Sequence, residues 1–204
     1  IKNNLFDTIC HEHLAYYSVQ IINSMCKKNN LRIFDIEKNN INGGSTRFYI
    51  CHELARYQTK NRNLKNFIKI EIKNNINKFE TYKKFFEKIN NIKKKLNYLL
   101  LNIKKQGKKI HGYGASTKGN LLLQYFGLSS EIITKIADRN PNKAGSFSPG
   151  LKIPIVTEQI SRAEKPDYYL VLPWHFKTEI LKRERKMIRR GTKFIFPLPV
   201  IKIY

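Results

Sequence analysis

The C-terminal half of the chain, residues 106–204, alternates short apolar segments with amphipathic ones, and this alternation restricts the possible folds most. We predict strands at 109–113, 132–137, 154–156, 167–172 and 193–196, and helices at 120–126 and 177–190. Strands that alternate with helices favour a parallel, doubly wound sheet. The sequence therefore predicts an α/β fold with a Rossmann-like parallel sheet over residues 106–204. Ligands of such sheets bind at the carboxyl ends of the strands, which selects the loops at 112–118, 138–140 and 173–176.

The connection after the first of these strands is rich in glycine. It has the sequence GYGASTKG (112–119) and leads into the predicted helix. Backbone N–H groups in such a turn can approach a phosphate, and the N-terminus of the helix favours negative charge. Ser116 and Thr117 add hydroxyl donors and Lys118 adds a charge, so we predict a pyrophosphate-binding turn. Gly119 comes later than the third glycine of the strict G-x-G-x-x-G fingerprint, and a structural turn without a ligand is the alternative.

Two further loops follow predicted strands at the same edge of the sheet. Asp138 lies about twenty residues beyond the Gly-rich turn, where Rossmann folds place the carboxylate that binds a ribose hydroxyl. An Asx turn leading into Arg139 and Asn140 is the alternative for Asp138. Trp174 and His175 end another strand, and Trp174 could either stack on a ligand ring or pack in the core.

The segment His11-Glu12-His13 places an imidazole on each side of a carboxylate. Imidazoles titrate near neutral pH, so either ring could accept a proton from carbon or oxygen, and Glu12 could orient one of them. A zincin helix has its histidines at i and i+4, whereas here they are at i and i+2. Cys10, Cys26 and Cys51 form no C-x-x-C pair, and we predict no metal site. A surface or capping role for the histidines is the alternative.

The N-terminal half predicts a helix followed by two strands. Residues 14–29 have apolar side chains at helical spacing, and 31–36 and 46–51 have strand composition, with a Gly-containing turn between the strands. We expect these strands to pair antiparallel. Residues 53–105 are predicted to be mostly helical, with the apolar stripe of 78–105 packed in a core.

The formal net charge of +24 would suit a nucleic-acid-binding protein. Lys, Asn and Ile are enriched together, however, as an AT-rich coding sequence produces, and no helix-turn-helix, RNA-recognition or zinc-finger pattern occurs. We therefore predict a solvated basic surface and no specific nucleic-acid partner. No apolar stretch reaches the ~18 residues of a membrane span, and the three unpatterned cysteines favour a cytoplasmic setting. The oligomeric state is open.

Several stretches, in order, make the chain resemble the C-terminal part of the SAM-dependent sugar C-methyltransferases. They are FDTICHEHLAYYS (6–18), NGGSTR (42–47), GYGASTKGN (112–120), DRNPNKAG (138–145), PG (149–150) and LPWHFK (172–177). Each motif alone has modest specificity, but together they extend over nearly the whole chain.

The resemblance implies three parts in this chain. Residues 1–52 would end a class I methyltransferase domain with its last helix and antiparallel strand pair. Residues 53–105 would be a helical linker, and 106–204 would be a Rossmann-like domain that helps to hold a nucleotide sugar. Because the chain begins at Ile1 rather than Met, we expect the region that binds S-adenosyl-L-methionine (SAM), and a zinc-binding module before it, to lie upstream. This chain alone would then neither bind SAM well nor catalyse methylation.

The resemblance also implies roles for individual residues. Substrates of this family are typically dTDP-linked 4-keto deoxysugars, methylated at a carbon next to the ketone through an enolate. His13 would be the base, with Glu12 beside it, and His11 would orient either the substrate or the enolate oxygen. Cys10 stands where relatives usually have tyrosine, which puts the substrate or full activity in question because cysteine is shorter and a weaker donor. The implied nucleotide-sugar site consists of Gly114, Ser116, Thr117, Lys118, Asn120, Asp138, Trp174 and His175.

Two other functions fit the residues without the resemblance. One is a non-catalytic Rossmann-like module that binds a nucleotide or NAD(P). The other is a basic protein associated with nucleic acid, whose binding would weaken steeply with salt.

Overall fold

The computed structural model describes the backbone of residues 1–204 and all side chains except those of Asn42 and Asn61. The chain forms two units. The first comprises residue 1 and residues 11–87, and the second comprises residues 2–10 and 88–204.

The first unit is built on an antiparallel strand pair. Its elements are α1 (Val19–Lys28), β1 (Leu31–Asn39), β2 (Ser45–His52), α2 (Asn61–Lys73) and the start of α3 (Phe79–Lys105). Leu31 lies opposite His52 and Asn39 opposite Ser45, which confirms the predicted antiparallel pairing. Both α1 and α2 pack on β1. Their contact buries a small apolar core of Val19, Cys26, Ile33 and Ile36.

Helix α1 begins later than predicted, and residues 14–17 are exposed and non-helical. The Ser18 hydroxyl oxygen accepts a hydrogen bond from the backbone N–H of Ile21 at 3.2 Å and is the N-cap. The carboxylate of Glu71, from α2, accepts the N–H of Val19 at 2.6 Å. These two side chains satisfy N–H groups that lack partners inside the helix, and so they fix its start at Val19.

The apolar stripe of α3 is buried only in its C-terminal part, within the second unit. The buried residues are Ile89, Ile92, Leu96, Leu100 and Ile103. Phe79, Tyr82 and Phe86, which were predicted to lie in a core, are instead 78%, 48% and 57% exposed. The prediction was wrong for these three because helical spacing shows which face is apolar but not what covers it.

The second unit is an α/β layer structure. Its strands are β3 (Ile110–Tyr113), β4 (Ile136–Asp138), β5 (Ile155–Thr157), β6 (Tyr168–Val171), β7 (Lys193–Phe196) and β8 (Lys202–Ile203). Its helices after α3 are α4 (Thr117–Phe126), α5 (Glu158–Ala163), α6 (Lys177–Arg183) and α7 (Arg185–Arg189). The strands lie in the order β5-β4-β3-β6-β7-β8, and all are parallel except β8. This sheet confirms the predicted Rossmann-like α/β fold.

Strand β3 lies at the centre of the sheet. Its residue Gly112 is opposite Ile136 of β4 on one side and Leu170 of β6 on the other. From β3 the chain passes through α4 to β4 and on to β5, and α5 then returns it to β6. The strand order therefore reverses between β3 and β6, where open α/β sheets form their ligand-binding crevice.

The predicted helix over 177–190 is two short helices. Helix α6 ends at Arg183 and α7 begins at Arg185, and Glu184 between them is 2% exposed. The Glu184 carboxylate accepts hydrogen bonds from the Tyr113 hydroxyl and from Arg162, each at 2.8 Å. The interruption of the helix thus accompanies the burial of a charged side chain, which helical spacing does not predict. The two-residue strand β8 is also absent from the sequence prediction because so short a segment has no periodicity.

Candidate functional site

The carboxyl ends of β3, β4 and β6 border one cavity of about 410 Å³. Its lining includes residues 113–116 after β3, Asp138, Arg139 and Lys143 around the end of β4, and Pro173 and Phe176 after β6. Parts of all three loops that the sheet topology selects therefore line the same cavity, which we call the crevice.

Two glycines let the loops of the crevice approach each other. Gly114 has φ +84°, and a Cβ atom there would lie 2.7 Å from Cδ of Pro173. A Cβ at Gly119 would lie 2.5 Å from Cβ of Leu172. Both separations are too short for any side chain. Positions 114 and 119 must therefore be glycine for the turn after β3 and the start of α4 to pack against the loop after β6.

Ser116 is the N-cap of α4. Its hydroxyl oxygen accepts the backbone N–H of Gly119 at 3.0 Å. The hydroxyl hydrogen of Ser116 is then directed elsewhere and could donate to a ligand. Thr117 is exposed and Lys118 is half-buried in the first turn of the helix. Unpaired N–H groups and the helix dipole make such a first turn favourable for an anion.

Asp138 holds the Gly-rich turn against the loop after β4. Its Oδ2 accepts the backbone N–H of Ala115, and its Oδ1 accepts that of Asn140, both at 2.7 Å. The bond to Asn140 is the Asx turn that the sequence left as an alternative. Nζ of Lys143 donates to the carbonyl oxygen of Ala115 at 2.6 Å and lies 3.5 Å from Oδ2 of Asp138. Asp138 therefore organises the crevice, and a ribose contact by this carboxylate stays a prediction.

Asp7 is a buried carboxylate that the sequence analysis did not single out. It lies in the 3-10 turn Phe6–Thr8 of the second unit and is 2% exposed. Its Oδ2 accepts a hydrogen bond from Nε1 of Trp174 at 2.8 Å, and its Oδ1 has no hydrogen-bond partner among the described residues. Burial raises the pKa of Asp7, although the bond from Trp174 and the Lys118 cation oppose this rise. The FDT motif at residues 6–8 was the only sequence feature that pointed to Asp7, and it does not indicate a hydrogen bond with residue 174.

Two predicted site residues also have buried atoms without a hydrogen-bond partner in the described part of the chain. They are Nδ1 of His175 and Oδ1 of Asn120. Burial, together with the Lys118 cation, lowers the pKa of His175 below its ordinary value, so the ring is neutral at neutral pH. The Trp174 ring lies edge-on to His175, with 5.8 Å between ring centroids. A bound ligand or water is the usual partner of such buried polar atoms.

An ion-pair network forms one wall of the crevice. The Arg183 guanidinium lies 2.6 Å from Glu158 and 3.0 Å from Glu184, and it also contacts the Tyr113 hydroxyl. Burial raises the pKa of Tyr113, and the bond to Glu184 raises it further, so the phenol stays protonated and donates to that carboxylate. Sequence analysis missed this network because its members come from β3, α5 and the α6–α7 junction.

The segment His11-Glu12-His13 lies in the first unit, and all three side chains are exposed. His11 and Glu12 form a turn, and the His13 ring lies edge-on to Tyr16, with 6.3 Å between centroids. The eight predicted nucleotide-sugar residues lie in the second unit. A cleft that brings these two sets of residues together stays a prediction.

No group of three or more His, Cys, Asp or Glu side chains suited to a metal ion occurs among the side chains that the structure describes. Cys10, Cys26 and Cys51 are free thiols, and burial raises the pKa of Cys26. Within the described residues, every helix is too short or too polar to cross a membrane.

The sheet and its helices define a Rossmann-like α/β domain, and comparison with known sequences identifies its family. A family model for the C-methyltransferase C-terminal domain matches residues 40–199, so the chain belongs to this family. The chain is also 31% identical over 199 residues to C-methyltransferase NovU of Streptomyces niveus, an alignment that covers 98% of this chain and 47% of that protein. The chain thus spans about half the length of this relative. These matches confirm the resemblance found in the sequence motifs.

Proposed function

We propose that the chain is the C-terminal part of a SAM-dependent C-methyltransferase that acts on a nucleotide-linked 4-keto deoxysugar of the dTDP type. Methylation would occur at the carbon next to the ketone. Membership of the C-methyltransferase C-terminal domain family and the similarity to C-methyltransferase NovU support the reaction class. The observation that supports the substrate class best is the crevice, where a Gly-rich turn opens α4 at the reversal of strand order.

The phosphate-binding part of this site would be the start of α4. Gly114 keeps the turn free of side-chain atoms, and the N-terminal N–H groups favour a diphosphate. Ser116 and Thr117 would donate from their hydroxyl groups, and Lys118 would add a positive charge. Asp138 fixes the position of the turn through the N–H of Ala115.

The remaining polar groups would bind the uncharged parts of the substrate. Asn120 and His175 each have a buried atom that lacks a hydrogen-bond partner among the described residues. These atoms would form hydrogen bonds with the sugar hydroxyls or with the nucleotide base. Trp174 would contribute an apolar ring face beside them. Asp7 would act as a positioning residue, because it holds the Trp174 indole through Nε1.

Proton removal would be the task of the N-terminal motif. A ketone acidifies the neighbouring C–H, and a positioned base typically accelerates its removal by ~10²–10⁴-fold. His13 would take this proton, Glu12 would stabilise the imidazolium, and His11 would orient the substrate. SAM would supply the methyl group that the resulting carbanion accepts.

We assign no SAM site to the residues of this chain. In the first unit, Gly43 and Gly44 lie between two antiparallel strands rather than between a strand and a helix. In the second unit, the Gly-rich turn is the one assigned to the nucleotide sugar. We therefore propose that SAM binds to a part of the enzyme outside these residues, and that the 204-residue chain alone does not methylate.

Proton exchange tests the base directly. In the full-length enzyme, the substrate C–H next to the ketone should exchange with deuterium from solvent, and His13→Gln should abolish this exchange while nucleotide-sugar binding persists. His52→Gln, which removes an exposed histidine of β2, is the matched control and should exchange normally. Exchange at the wild-type rate in His13→Gln would remove His13 as the base.

Ligand binding tests the proposed phosphate-binding turn at the start of α4. Lys118→Ala should weaken binding of a dTDP-sugar in calorimetric titration but leave SAM binding to the full-length enzyme unchanged. Lys105→Ala, at the exposed end of α3, is the control for the loss of one charge. Tight binding of NAD(P) without binding of a dTDP-sugar would instead identify a nucleotide-binding module of another function.

A further inference from the structure

The second unit has another concave surface besides the crevice. A cavity of about 690 Å³ extends between α5 and the α6–α7 segment. Six basic side chains contribute to its lining, and we call it the basic groove: Arg139, Arg162, Lys165, Arg183, Lys186 and Arg190. Arg139 and Arg183 line the crevice as well, whereas Arg162, Lys165, Lys186 and Arg190 have no role in the proposed methyl transfer.

The acidic side chains of the basic groove are already neutralised by partners. Glu158 pairs with Arg162 at 3.0 Å and with Arg183 at 2.6 Å. Glu184 is bound by the same two arginines. Asp167 pairs with Lys108 at 3.0 Å and accepts the backbone N–H of Lys109 at 2.8 Å, which lowers its pKa.

Four cations of the groove are left over after these pairings. Arg139, Lys165, Lys186 and Arg190 form no ion pair within the part of the chain that the structure describes. Four like charges around one cavity repel one another, and a bound anion of matching charge would relieve this repulsion.

The residue types also differ from the general basic composition. The chain has 29 lysines and ten arginines, yet the groove contains four arginines and two lysines. Lysine enrichment spread along the chain explains the net charge, but it does not explain a concave surface rich in arginine. The planar guanidinium group binds phosphate oxygens bidentately, which suits such a surface to phosphate esters.

The walls of the groove are held in place before any ligand binds. Arg162 of α5 lies 2.8 Å from Glu184 at the α6–α7 junction, and Arg183 of α6 lies 2.6 Å from Glu158 of α5. At the floor, the Thr192 hydroxyl donates to the carbonyl oxygen of Pro166 at 3.2 Å. A preorganised site loses less conformational freedom on binding.

We infer that the basic groove binds a small molecule with two or more phosphate groups. This site adjoins the crevice, with which it shares Arg139, Glu158 and Arg183, but its cations Lys165, Lys186 and Arg190 do not line the crevice. Its volume lies within the range of about 300–1,000 Å³ that is usual for small-ligand pockets. Met187 and Pro166 add apolar surface beside the cations, which suits an organic phosphate such as a nucleoside diphosphate. The concave shape between two helical segments favours a compact ligand over an extended nucleic acid.

Calorimetric titration of the 204-residue chain with inorganic pyrophosphate and with ADP tests this inference. The double variant Lys186→Gln/Arg190→Gln removes two unpaired cations of the groove. The double variant Arg185→Gln/Arg189→Gln removes equal charge from α7, at positions that do not line the cavity. We expect the first pair to weaken binding of both probes at least about tenfold and the second pair to change it by less than about twofold, because charge-assisted contacts act at short range.

Lys118→Ala separates this site from the proposed nucleotide-sugar site, because Lys118 does not line the basic groove. In that background the groove should still bind pyrophosphate, and Lys186→Gln/Arg190→Gln should still weaken this binding at least about tenfold. Failure of the nucleotide-sugar proposal would not change this result. Equal losses in the two double variants, absence of pyrophosphate and ADP binding to the wild-type chain, or a groove effect seen only with a single-stranded oligonucleotide would each overturn the inference.

Discussion

Asp7 and Trp174 are 167 positions apart in the sequence, and the indole Nε1–H of Trp174 donates a 2.8 Å hydrogen bond to the Asp7 carboxylate. Both side chains are buried. Next to this bond, the Phe6 ring stacks on Phe126 of α4, with 5.2 Å between centroids. The short turn that contains Asp7 is therefore fixed both to the loop after β6 and to α4.

Two substitutions of Asp7 should distinguish the contribution of its hydrogen bond to stability from the contribution of its charge. Asp7→Ala leaves the buried indole N–H without an acceptor and should lower the free energy of unfolding by about 1–3 kcal/mol. Asp7→Asn keeps an acceptor oxygen and removes a charge that burial disfavours, so it should stay within about 1 kcal/mol of the wild type. Urea unfolding followed by circular dichroism measures both, and the emission of Trp174, the only tryptophan, reports its surroundings. Equal stability of Asp7→Ala and wild type would show that the bond contributes nothing.

Gly114 should tolerate alanine less well than another glycine of the same backbone conformation. Gly114 and Gly145 have φ +84° and +83°, but an added Cβ would meet Pro173 at 2.7 Å only at Gly114 and no atom within 4 Å at Gly145. Both Gly→Ala variants carry the cost of positive φ, about 1–2 kcal/mol. Gly114→Ala should lose about 1–3 kcal/mol more, because the loop after β6 must move. The difference between the two unfolding free energies is the measurement, and no difference would contradict the close approach.

His111 should make the stability of the protein depend on pH. The ring is fully buried on β3, and its Nδ1 lies 2.8 Å from the Ser161 hydroxyl. Burial lowers the pKa of His111 from 6.5 to about 4, although Glu164 opposes the shift. The unfolded chain therefore binds a proton at this residue between these pH values while the folded chain does not. Stability from this group is present above the unfolded pKa and is lost as the pH falls toward 4, by at most about 3 kcal/mol.

The variant His111→Gln isolates this contribution. It can still bond to Ser161 but cannot titrate, so its unfolding free energy should rise less steeply with pH than that of the wild type. His52→Gln, at an exposed position of the first unit, serves as the control and should keep the wild-type slope. Parallel curves for His111→Gln and the wild type would rule out His111 as the source of the pH dependence.

Glu184 should be the most sensitive carboxylate of the α6–α7 segment. Its side chain is almost fully buried and binds Tyr113, Arg162 and Arg183. Glu184→Ala leaves the buried Tyr113 hydroxyl without its acceptor and removes the partner of two partly exposed arginines, so it should cost about 1–3 kcal/mol. Glu179→Ala, on the exposed surface of α6, should change stability by less than about 0.5 kcal/mol. Thermal or urea unfolding compares the two, and similar losses would show that the network is energetically unimportant.

Much of the second unit could be predicted from local sequence. The alternation of strands and helices predicted the parallel sheet, and the glycines of residues 112–119 marked the turn before α4. These features depend on side-chain periodicity and on backbone angles of neighbouring residues, which a sequence records directly. The same holds for the antiparallel pair β1–β2, whose short connection leaves few other arrangements.

Features that depend on contacts between distant segments could not be predicted in this way. In the sequence, Asp7 was only one residue of the motif at 6–18, and Glu184 was one acid in a predicted helix over 177–190. Folding places Asp7 against Trp174 and Glu184 against Tyr113, and it gathers a few of the many basic residues around one cavity. These tertiary contacts depend on how distant segments pack together, and no local sequence pattern encodes them.

The amino-acid sequence by itself determined the class of fold, the Gly-rich turn and the family, because spacing and residue type suffice for each. Only the tertiary structure decided which buried polar atoms form hydrogen bonds and which have no partner among the described residues. The physical reason is that the free-energy cost of burying a polar group depends on the atoms around it. Those atoms come from segments that lie far apart along the chain.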